Sequence, residues 1–586
     1  ESRGFVLKKE GVLFDTPSHY KETLINYKDM SFKSLSSYIG LLLIFSLSSC
    51  HLSTKKDDVS KTQAPRIINI INFIRQTDYR IENSDSLLYQ TVEEQLKLIN
   101  RYNLPATFLL QYDALIKPEY QQLLKSQLNQ QSEIGGWFEI TQPQVEDAGL
   151  EWRGEHSWVS HANIAFSTGY TKDEREKLVD VYMEKFKEIF GEYPKSMGSW
   201  YIDAHTLNYM YEKYGIIASC NCKDQIGTDG YTLWGGYWNQ AYYPSKLNGY
   251  MPAQSQEQQI PVPVFRMLGS DPIYQYDDGL GNDRQGVISL EPVYTQAGKN
   301  RAWVHYFFNA IVDQPCLAFN YAQAGQENSF TWDAMKDGLE MQIPIIDSLQ
   351  RTQKVQVLTL AETGKWFKEK FSTTPATTVT VLNDIRNENN KTVWFNSRYY
   401  RANLLWKNQD FSFRDIHLFD ERFKSQYVDK PGESSQFFFY TLPMVDGYMW
   451  STPEDRAGMQ IVQHSASGEK KIVRLNPPTI TEPDTKTLVV TCTDVENHSF
   501  KMTFTESDFE ISCDTNDKDF RWSLDLHTAL SELPFKEIEG QNIMADFQGF
   551  KYVIRCLDGK PEISGDCALR ISPVQNRIKI DCTNNR

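Results

Sequence analysis

Between Arg66 and about Phe371, short apolar runs alternate with longer amphipathic segments. Runs such as Ile67–Ile74 and Ala106–Leu110 are rich in bulky or β-branched residues and have the length of buried strands. Lys172–Phe190 instead repeats its apolar residues at helical spacing, with polar residues on the opposite face. This alternation predicts a parallel sheet whose strands are joined by helices.

Further strands and helices continue the alternation up to about residue 373. The predicted strands are Glu133–Ile140, Met197–Ile202, Ile216–Cys220, Pro263–Met267, Cys316–Tyr321 and Val355–Leu360. The predicted helices are Thr91–Ile99, a segment near 119–128, one that ends at Gly215, Phe330–Leu349 with a kink at Pro344, and Lys365–Phe371. Seven or eight such repeats predict an α/β fold with a closed (β/α)7–8 barrel over residues 66–373.

After Thr374 the helical pattern gives way to short β-type runs separated by turn residues. This change predicts an all-β sandwich region at the C-terminal end. We expect two parts, residues 374–480 and 481–586, which meet near the proline-rich stretch Asn476–Pro483.

The N-terminal segment has the pattern of an exported bacterial lipoprotein. Residues 1–29 are interpreted as an upstream extension, and residues 30–49, with the apolar run Tyr38–Leu47, as a signal peptide. The letters LSSC at 47–50 resemble a lipobox, so we expect Cys50 to carry lipid. Residues 50–65 are predicted to be a flexible tether. We therefore expect a chain anchored by lipid in the cell envelope, at the outer membrane or the cell surface.

Composition narrows the class of partner. The chain has 586 residues, too many for a single core, and a net charge of −15, which argues against binding to nucleic acid. Aromatic residues make up 13% of the chain, which suits a protein that binds carbohydrate. No segment after residue 50 is long and apolar enough to span a membrane, so lipid is the only membrane contact predicted. The last five of nine cysteines lie in the predicted β region and favour one or two disulfides.

Asp203 is the leading candidate for catalysis, because it lies where a predicted strand ends and a helix begins. In a parallel barrel this edge faces the substrate. Trp200, Tyr201 and His205 lie beside it and could stack on a sugar or bind its hydroxyl groups. The alternative is that Asp203 only caps the helix.

Other acidic residues follow other predicted strands. Glu327 and Glu291 are predicted to complete the catalytic set, since glycoside hydrolysis needs one protonated and one ionised carboxyl. Sequence does not say whether the reaction is retaining or inverting. The predicted substrate-binding residues are Asp78, Trp137, Glu139, Trp200, Tyr201, His205, Tyr321, Gln326, Trp332 and Glu362.

The motifs LPATFLL (104–110), SEIGGWFEI (132–140) and PKSMGSWYID (194–203), with a long amphipathic helix between the last two, resemble the polysaccharide-deacetylase superfamily. The resemblance implies a distorted (β/α) barrel, shared with class II α-mannosidases and one family of retaining glycosidases. SWYIDAHT (199–206) is similar to the mannosidase segment that carries the nucleophilic aspartate, which would be Asp203. A group of bacterial lipoproteins of unknown function on this plan is also suspected.

The sequence departs from that family where metal would bind. Metal-dependent deacetylases carry an aspartate pair after the first strand and a histidine pair after the third. Here the first strand leads into NFIRQTDYR (72–80) with Asp78 alone, and the third strand ends in Trp137, Phe138 and Glu139 without histidine. No metal or other cofactor is therefore predicted; if one binds, its ligands would be Asp78, His156 and His161.

Three functions remain open. The first is a surface-anchored glycoside hydrolase that uses paired carboxyls at the barrel edge on a poly- or oligosaccharide. The second is a glycan-binding protein without activity on the same barrel, and the third is a metal-dependent carbohydrate deacetylase. Two carboxyls beside an aromatic-lined slot would favour the first, whereas a bound metal would favour the third.

Overall fold

The first part of the described chain is built around a central sheet of parallel strands. The computed structural model describes residues 64–565 and 567–584, so Cys50 and the predicted signal peptide lie outside the described residues. The strands of this part are β1 (Arg66–Ile74), β2 (Thr107–Leu110), β3 (Glu133–Trp137), β4 (Ser196–Gly198), β5 (Ala218–Asn221), β6 (Gln225–Thr228), β7 (Tyr231–Trp234), β8 (Ala241–Tyr242), β9 (Val264–Arg266), β10 (Asn320–Ala324) and β11 (Gln356–Val357).

The central sheet runs in the order β10-β1-β2-β3-β4-β5-β9, and all these neighbours are parallel. β11 pairs with the start of β1, and β8 adds an antiparallel strand beside β9. β1 has the sequence RIINIINFI and is buried along its whole length, as expected for a strand covered on both faces. The predicted distorted (β/α)7–8 barrel is confirmed.

Helices surround the sheet. They are α1 (Ser84–Tyr102), α2 (Tyr112–Leu115), α3 (Pro118–Gln127), α4 (Gln142–Asp147), α5 (Ala162–Ala165), α6 (Lys172–Phe190), α7 (Ala204–Tyr214), α8 (Arg301–Val312), α9 (Trp332–Arg351) and α10 (Leu360–Lys370), with 3-10 turns at Ser167–Gly169 and Asn328–Phe330. α9 continues through Pro344. Among the described residues, no helix is long and apolar enough to cross a membrane.

Two boundaries differ from the prediction for local reasons. The last strand is only two residues long, because Thr359 and Glu362 form a capping box that starts α10 at Leu360. The predicted strand from Cys316 begins later, at Asn320, since Leu317 has a left-handed backbone with φ of 57°. α8 was not predicted: most of its residues are buried apolar ones, so it lacks a clear polar face.

The C-terminal region is an all-β sandwich, as predicted. Its strands are β12 (Thr377–Val381), β13 (Lys391–Asn396), β14 (Tyr400–Lys407), β15 (Asp410–Leu418), β16 (Phe437–Tyr440), β17 (Leu442–Asp446), β18 (Gly458–His464), β19 (Lys470–Ile472), β20 (Thr479–Thr481), β21 (Leu488–Thr493), β22 (Ser499–Phe504), β23 (Asp508–Asp514), β24 (Trp522–His527), β25 (Phe535–Glu539), β26 (Asn542–Phe547), β27 (Phe550–Asp558), β28 (Lys560–Glu562), β29 (Leu569–Ser572) and β30 (Arg577–Asp581).

The two sheets of this sandwich share strands from both predicted parts. One sheet runs β12-β13-β14-β15-β18-β24-β29-β28, and the other runs β20-β21-β22-β23-β30-β27-β26-β25. Phe395 and Phe413 of the first sheet pack on Phe504 and Phe509 of the second. Residue 480 therefore does not separate two modules, because strands from beyond it complete the first sheet.

The predicted disulfides are absent from the described residues, in which eight cysteines have free thiols. Cys492 and Cys513 show why: Phe500 of β22 pairs with both, so a whole strand lies between the two sulfur atoms.

The sandwich is joined to the barrel by hydrogen bonds and by buried charge. β16 pairs in parallel with β7, which belongs to a hairpin that follows β5. Arg401 of β14 forms an ion pair with Asp224, which lies between β5 and β6, and its Nε lies 2.9 Å from Oδ1 of Asp415. These contacts hold the hairpin β6–β7, which follows the carboxyl end of β5, against the sandwich.

Candidate functional site

One guanidinium group joins three acidic residues at the carboxyl end of the barrel. Arg75 follows β1, and its Nη2 lies 2.9 Å from Oε2 of Glu139, which follows β3, and 3.2 Å from Oε2 of Glu327, which follows β10. Its Nη1 lies 3.6 Å from Oδ2 of Asp78. We call Arg75, Asp78, Glu139 and Glu327 the Arg75 cluster. Strands β10, β1 and β3 therefore bring these charges together, since β10 is next to β1 in the sheet and β3 is two strands from β1.

Two carboxyls of the Arg75 cluster, those of Glu327 and Asp78, differ in proton affinity. Burial raises the pKa of Glu327 to about 7, although the charge of Arg75 opposes this rise. Burial acts on Asp78 in the same direction, but hydrogen bonds from Arg80 and the charges of both arginines hold the pKa of Asp78 below its ordinary value. Glu327 is therefore suited to hold a proton near neutral pH, while Asp78 is ionised.

Both glutamates of the Arg75 cluster leave hydrogen-bonding capacity unused. Oε2 of Glu139 accepts hydrogen bonds from Arg75 and, at 3.0 Å, from Nε1 of Trp137, while its Oε1 accepts none from any residue in the described ranges. Oε2 of Glu327 lies 3.2 Å from Nη2 of Arg75 as an ion pair, but within the described residues it is buried without a hydrogen-bond partner, and Oε1 of Glu327 accepts no hydrogen bond there either. The Oε1 atoms of both glutamates can therefore bind a ligand without breaking a hydrogen bond of the fold.

Aromatic rings surround the Arg75 cluster. Trp137 stacks on Phe73 at a ring distance of 4.3 Å, and Trp200 meets both rings edge-on. On the other side, the Trp158 ring lies 3.9 Å from the guanidinium carbon of Arg75. Tyr79 remains 45% exposed and provides an aromatic surface next to this cluster.

Glu291 is linked to Glu327 through one side chain. Nε2 of Gln326 donates to Oε1 of Glu291 at 3.0 Å, while its Oε1 accepts from the backbone N–H of Glu327 at 2.9 Å. Ser289 donates to the other oxygen of Glu291 at 2.6 Å. Burial raises the pKa of Glu291, against the nearby charge of Lys223.

Asp203 has a different environment. It is the N-cap of α7, and Oδ1 accepts from Thr206 N at 3.2 Å and from Arg175 Nη1 at 2.9 Å. Oδ2 accepts from the hydroxyls of Ser167 and Thr206, at 2.6 and 2.5 Å. Burial alone would raise the pKa of Asp203, but Arg175 and these hydroxyls bring it below the ordinary value. The capping alternative therefore holds, while a catalytic role for Asp203 stays a prediction.

The structure does not bring the remaining predicted residues into the Arg75 cluster. His205 binds Glu176 at 3.0 Å on the outer side of α7, and the ring of Tyr201 packs on Phe439. Tyr321 donates to Asn69 inside the barrel, and Trp332 lies partly buried at the start of α9. Glu362 is exposed and caps α10.

The three residues suggested for a metal do not converge. Asp78 is occupied by a two-point contact with Arg80, at 2.8 and 2.6 Å. His156 is exposed and stacks on Tyr79, and His161 is exposed as well. Across residues 64–565 and 567–584, no group of three or more His, Cys, Asp or Glu side chains has the arrangement of a metal site. After the first and third strands, where the resemblance of the sequence motifs implied metal ligands, this chain pairs Arg75 with Glu139.

Sequence reasoning missed several residues of the site. Arg75 had a usable signal, since a charged residue directly after a buried strand lies at the carboxyl edge of a barrel. Trp158 and Asp229 lie in loops far from Arg75 in the sequence, and no sequence pattern pointed to them. Asp229, at the tip of the hairpin β6–β7, is close enough that its charge acts on both Glu291 and Glu327.

No family model matches the chain, and no curated protein matches it. Among solved structures, the chain is similar to a protein assigned to the glycoside hydrolases/deacetylases from Parabacteroides distasonis, with 15% identity over 65% of this chain and 90% of that one, at a TM-score of 0.48. A protein of Mycobacterium smegmatis assigned to the polysaccharide deacetylases has 13% identity over 53% and 93% of the two chains, at 0.33. An allantoinase has 12% identity over 54% and 94%, also at 0.33.

The neighbours thus include the polysaccharide-deacetylase group, as the sequence motifs predicted. At identities of 15% or less, these three likenesses concern the fold alone.

Proposed function

We propose that this chain is a glycoside hydrolase whose reacting carboxyls are Glu327 and Glu139. One observation carries the proposal: the Oε2 atoms of both groups lie within 3.2 Å of the same Arg75 nitrogen, and among the described residues Oε1 of Glu139 and both oxygens of Glu327 accept no hydrogen bond. Asp203, the candidate from sequence, has both oxygens bonded within the fold. The proposal therefore moves the chemistry from the fourth strand to the first, third and tenth.

Glu327 is proposed as the proton donor. Cleavage of a glycosidic bond needs an acid that is still protonated near neutral pH, so that the leaving oxygen departs as a hydroxyl. A pKa of about 7, caused by burial, meets that need. Its position after β10 places it across Arg75 from Glu139.

Glu139 is proposed as the nucleophile. Arg75 and the indole N–H of Trp137 both donate to Oε2, and these two hydrogen bonds fix the orientation of the carboxyl group. Because both glutamate oxygens lie within 3.2 Å of one nitrogen, they are no more than about 6 Å apart. This upper limit lies below the roughly 6.5–9.5 Å of inverting enzymes and leaves room for the ~5–5.5 Å of retaining ones. We therefore propose a retaining reaction in which Glu139 attacks the anomeric carbon.

The test is a screen of plant and host polysaccharides in which new reducing ends and released acetate are both measured. On any substrate found, Glu327→Gln and Glu139→Gln should each lower turnover by about 10²–10⁴-fold. Glu340→Gln is the matched control, because Glu340 is exposed on α9. Turnover within threefold of wild type for Glu327→Gln would contradict the proposal.

The same screen separates the two alternatives. Acetate release that is lost with EDTA and restored by a divalent ion would indicate a metal-dependent deacetylase. A glycan that binds and raises the melting temperature without any product would indicate a binding protein on the same barrel.

We also propose that the chain acts at the bacterial surface, anchored by lipid on Cys50. The lipobox-like letters at 47–50 support this location. In cell fractions, the Cys50→Ala protein should move from the membrane to the soluble fraction. If this protein stays in the membrane, the anchor proposal fails.

A further inference from the structure

Tyr79 and His156 form a stacked pair of rings at the surface, beside the Arg75 cluster. Their ring centres lie 4.3 Å apart, and the two ring planes differ by 9°. Tyr79 nevertheless remains 45% exposed, and His156 is exposed as well. Because His156 covers one face of the Tyr79 ring, the exposed area belongs to the opposite face and to the ring edge. An aromatic face that is open to solvent is a surface on which the apolar face of a sugar ring can stack.

Contacts of the fold hold both rings in place. Oδ1 of Asp78 accepts from the backbone N–H and from Nε of Arg80, at 3.0 and 2.8 Å, so the turn that carries Tyr79 is fixed to a member of the Arg75 cluster. The indole N–H of Trp152 donates to the backbone oxygen of His156 at 2.9 Å. A ligand would therefore meet a surface that needs little further ordering on binding.

The pair lies close enough to the Arg75 cluster for one glycan to contact both. The Trp158 ring centre is 6.1 Å from that of Tyr79, and the Trp158 ring is 3.9 Å from the guanidinium carbon of Arg75. Together these two distances place the Tyr79 ring within about 10 Å of that carbon. Glu327 and Glu139 are paired with the same guanidinium. A short oligosaccharide spans such a distance.

The charges next to the pair favour a neutral sugar. Arg80, the cation that follows Tyr79, is already paired with Asp78 at 2.6 Å. This pairing balances the charge beside the ring, so an acidic sugar would gain little there. The C–H groups on one face of a neutral pyranose ring can instead pack directly on the phenol ring.

We propose that Tyr79, supported by His156, binds one neutral sugar ring of a glycan whose adjoining units reach Glu327 and Glu139. Tyr79 supplies the stacking face, and His156 is a positioning residue that holds the phenol ring in its orientation. This inference rests on the proposed action on glycans and adds a second point of recognition, outside the reacting carboxyls.

The test measures binding by calorimetry with four neutral probes: cellotetraose, xylotetraose, mannotetraose and maltotetraose. All proteins carry Glu327→Gln, so that no probe is consumed. For a probe that binds this parent, Tyr79→Ala should raise Kd by about 5-fold or more, because the covered ring faces return to water. Tyr79→Phe keeps the ring and should stay within about twofold of the parent. Phe438→Ala is the matched control, since Phe438 is also an aromatic residue that is 40% exposed and stacked on a neighbouring ring, that of Tyr440.

A second set of variants tests the positioning role of His156. His156→Ala should raise Kd by about threefold, and His156→Phe should restore most of the affinity, because a phenyl ring can stack on Tyr79 in the same way. Without ligand, Tyr79→Ala should melt within about 2 °C of the parent, since exposed side chains contribute little to stability.

Several results would overturn the stacking site. They are parent-like Kd values in Tyr79→Ala, an equal loss of affinity in Phe438→Ala, a loss in Tyr79→Phe as large as in Tyr79→Ala, or no binding of any probe. Failure of His156→Phe to restore affinity would remove His156 from the site. A probe that needs Tyr79 for binding but is not cleaved by the protein with Glu327 intact would contradict the hydrolase proposal and leave the stacking site standing.

Discussion

Two arginine–carboxylate clusters lie at the carboxyl end of this barrel, and they differ in how completely the fold uses them. Around Asp203, Arg175, two hydroxyls and a backbone N–H occupy both carboxylate oxygens. Around Arg75, three carboxyls share one guanidinium, and within the described part of the chain Glu139 keeps one oxygen and Glu327 both oxygens without a hydrogen bond. Burial is similar in the two places, so burial alone does not distinguish them.

This difference indicates which buried carboxyls stabilise the fold and which are available for catalysis. A carboxylate whose partners are all internal is stabilised in its charged form, and the pKa of Asp203 is accordingly lowered. A carboxyl with more burial than partners is pushed toward its protonated form, as the pKa of Glu327 shows. Only a carboxyl of the second kind is protonated near neutral pH and also has an oxygen atom available to donate that proton.

The largest expected effect is on turnover. Glu327→Gln should lower kcat/KM by about 10²–10⁴-fold, because the amide has no proton to donate in the transition state. Asp203→Asn should change it less than threefold per folded molecule. This contrast between the two clusters would be wrong if Asp203→Asn, while fully folded, lost as much turnover as Glu327→Gln. The sequence motif predicts that outcome.

The second largest effect is on stability, and here the Asp203 variant should lose more than the Glu327 variant. Asp203→Ala leaves Arg175, which is 1% exposed, without its ion-pair partner. Loss of one member of a buried pair costs about 3–5 kcal/mol of unfolding free energy. Glu327→Gln should cost less than about 1 kcal/mol, since it replaces a group of which part is already neutral near pH 7. Urea unfolding of both variants measures this, and equal losses would remove the distinction.

The sequence predicted the barrel well because its signal is local. The uniformly apolar β1, the periodic α6 and the strand–helix junction at Asp203 each depend on neighbours within one segment. The Arg75 cluster depends on residues 75, 139 and 327 meeting in space, and on Trp158 lying over them. No periodicity links these positions, so the sequence pointed to Glu139 and Glu327 as separate candidates and missed the arginine that joins them.

A smaller effect concerns pH, and the two clusters should respond in opposite directions. Glu327 has a folded-state pKa of about 7, above the ordinary 4.5, so its contribution to stability is complete below about pH 4.5 and is lost as pH rises through 7. Asp203 has a folded-state pKa below the ordinary 3.8, so its contribution is present above that pH and is lost as pH falls through the lower value.

Unfolding free energies from acid to alkaline pH can resolve these two windows. The stability of wild type relative to Glu327→Gln should fall between about pH 4.5 and 7 and then level off, and turnover should fall above about pH 7 as the proton donor ionises. The stability of wild type relative to Asp203→Asn should change only below about pH 4. A flat difference for Glu327→Gln across the neutral range would show that burial does not raise its pKa.

The smallest expected effect concerns Glu362, which the sequence also proposed for substrate binding. Its Oε2 accepts from Thr359 N at 2.9 Å, while its own backbone N–H donates to the Thr359 hydroxyl at 3.2 Å, so the two residues cap α10 reciprocally. Glu362→Ala should therefore lower the unfolding free energy by roughly 0.5–1 kcal/mol and leave kcat and KM unchanged. Glu362→Gln is the conservative control, because glutamine can make the same contact with the Thr359 N–H and should recover most of the loss. A rise in KM for both variants, at unchanged stability, would instead place Glu362 in contact with substrate and extend the site to the side of the barrel where α10 begins.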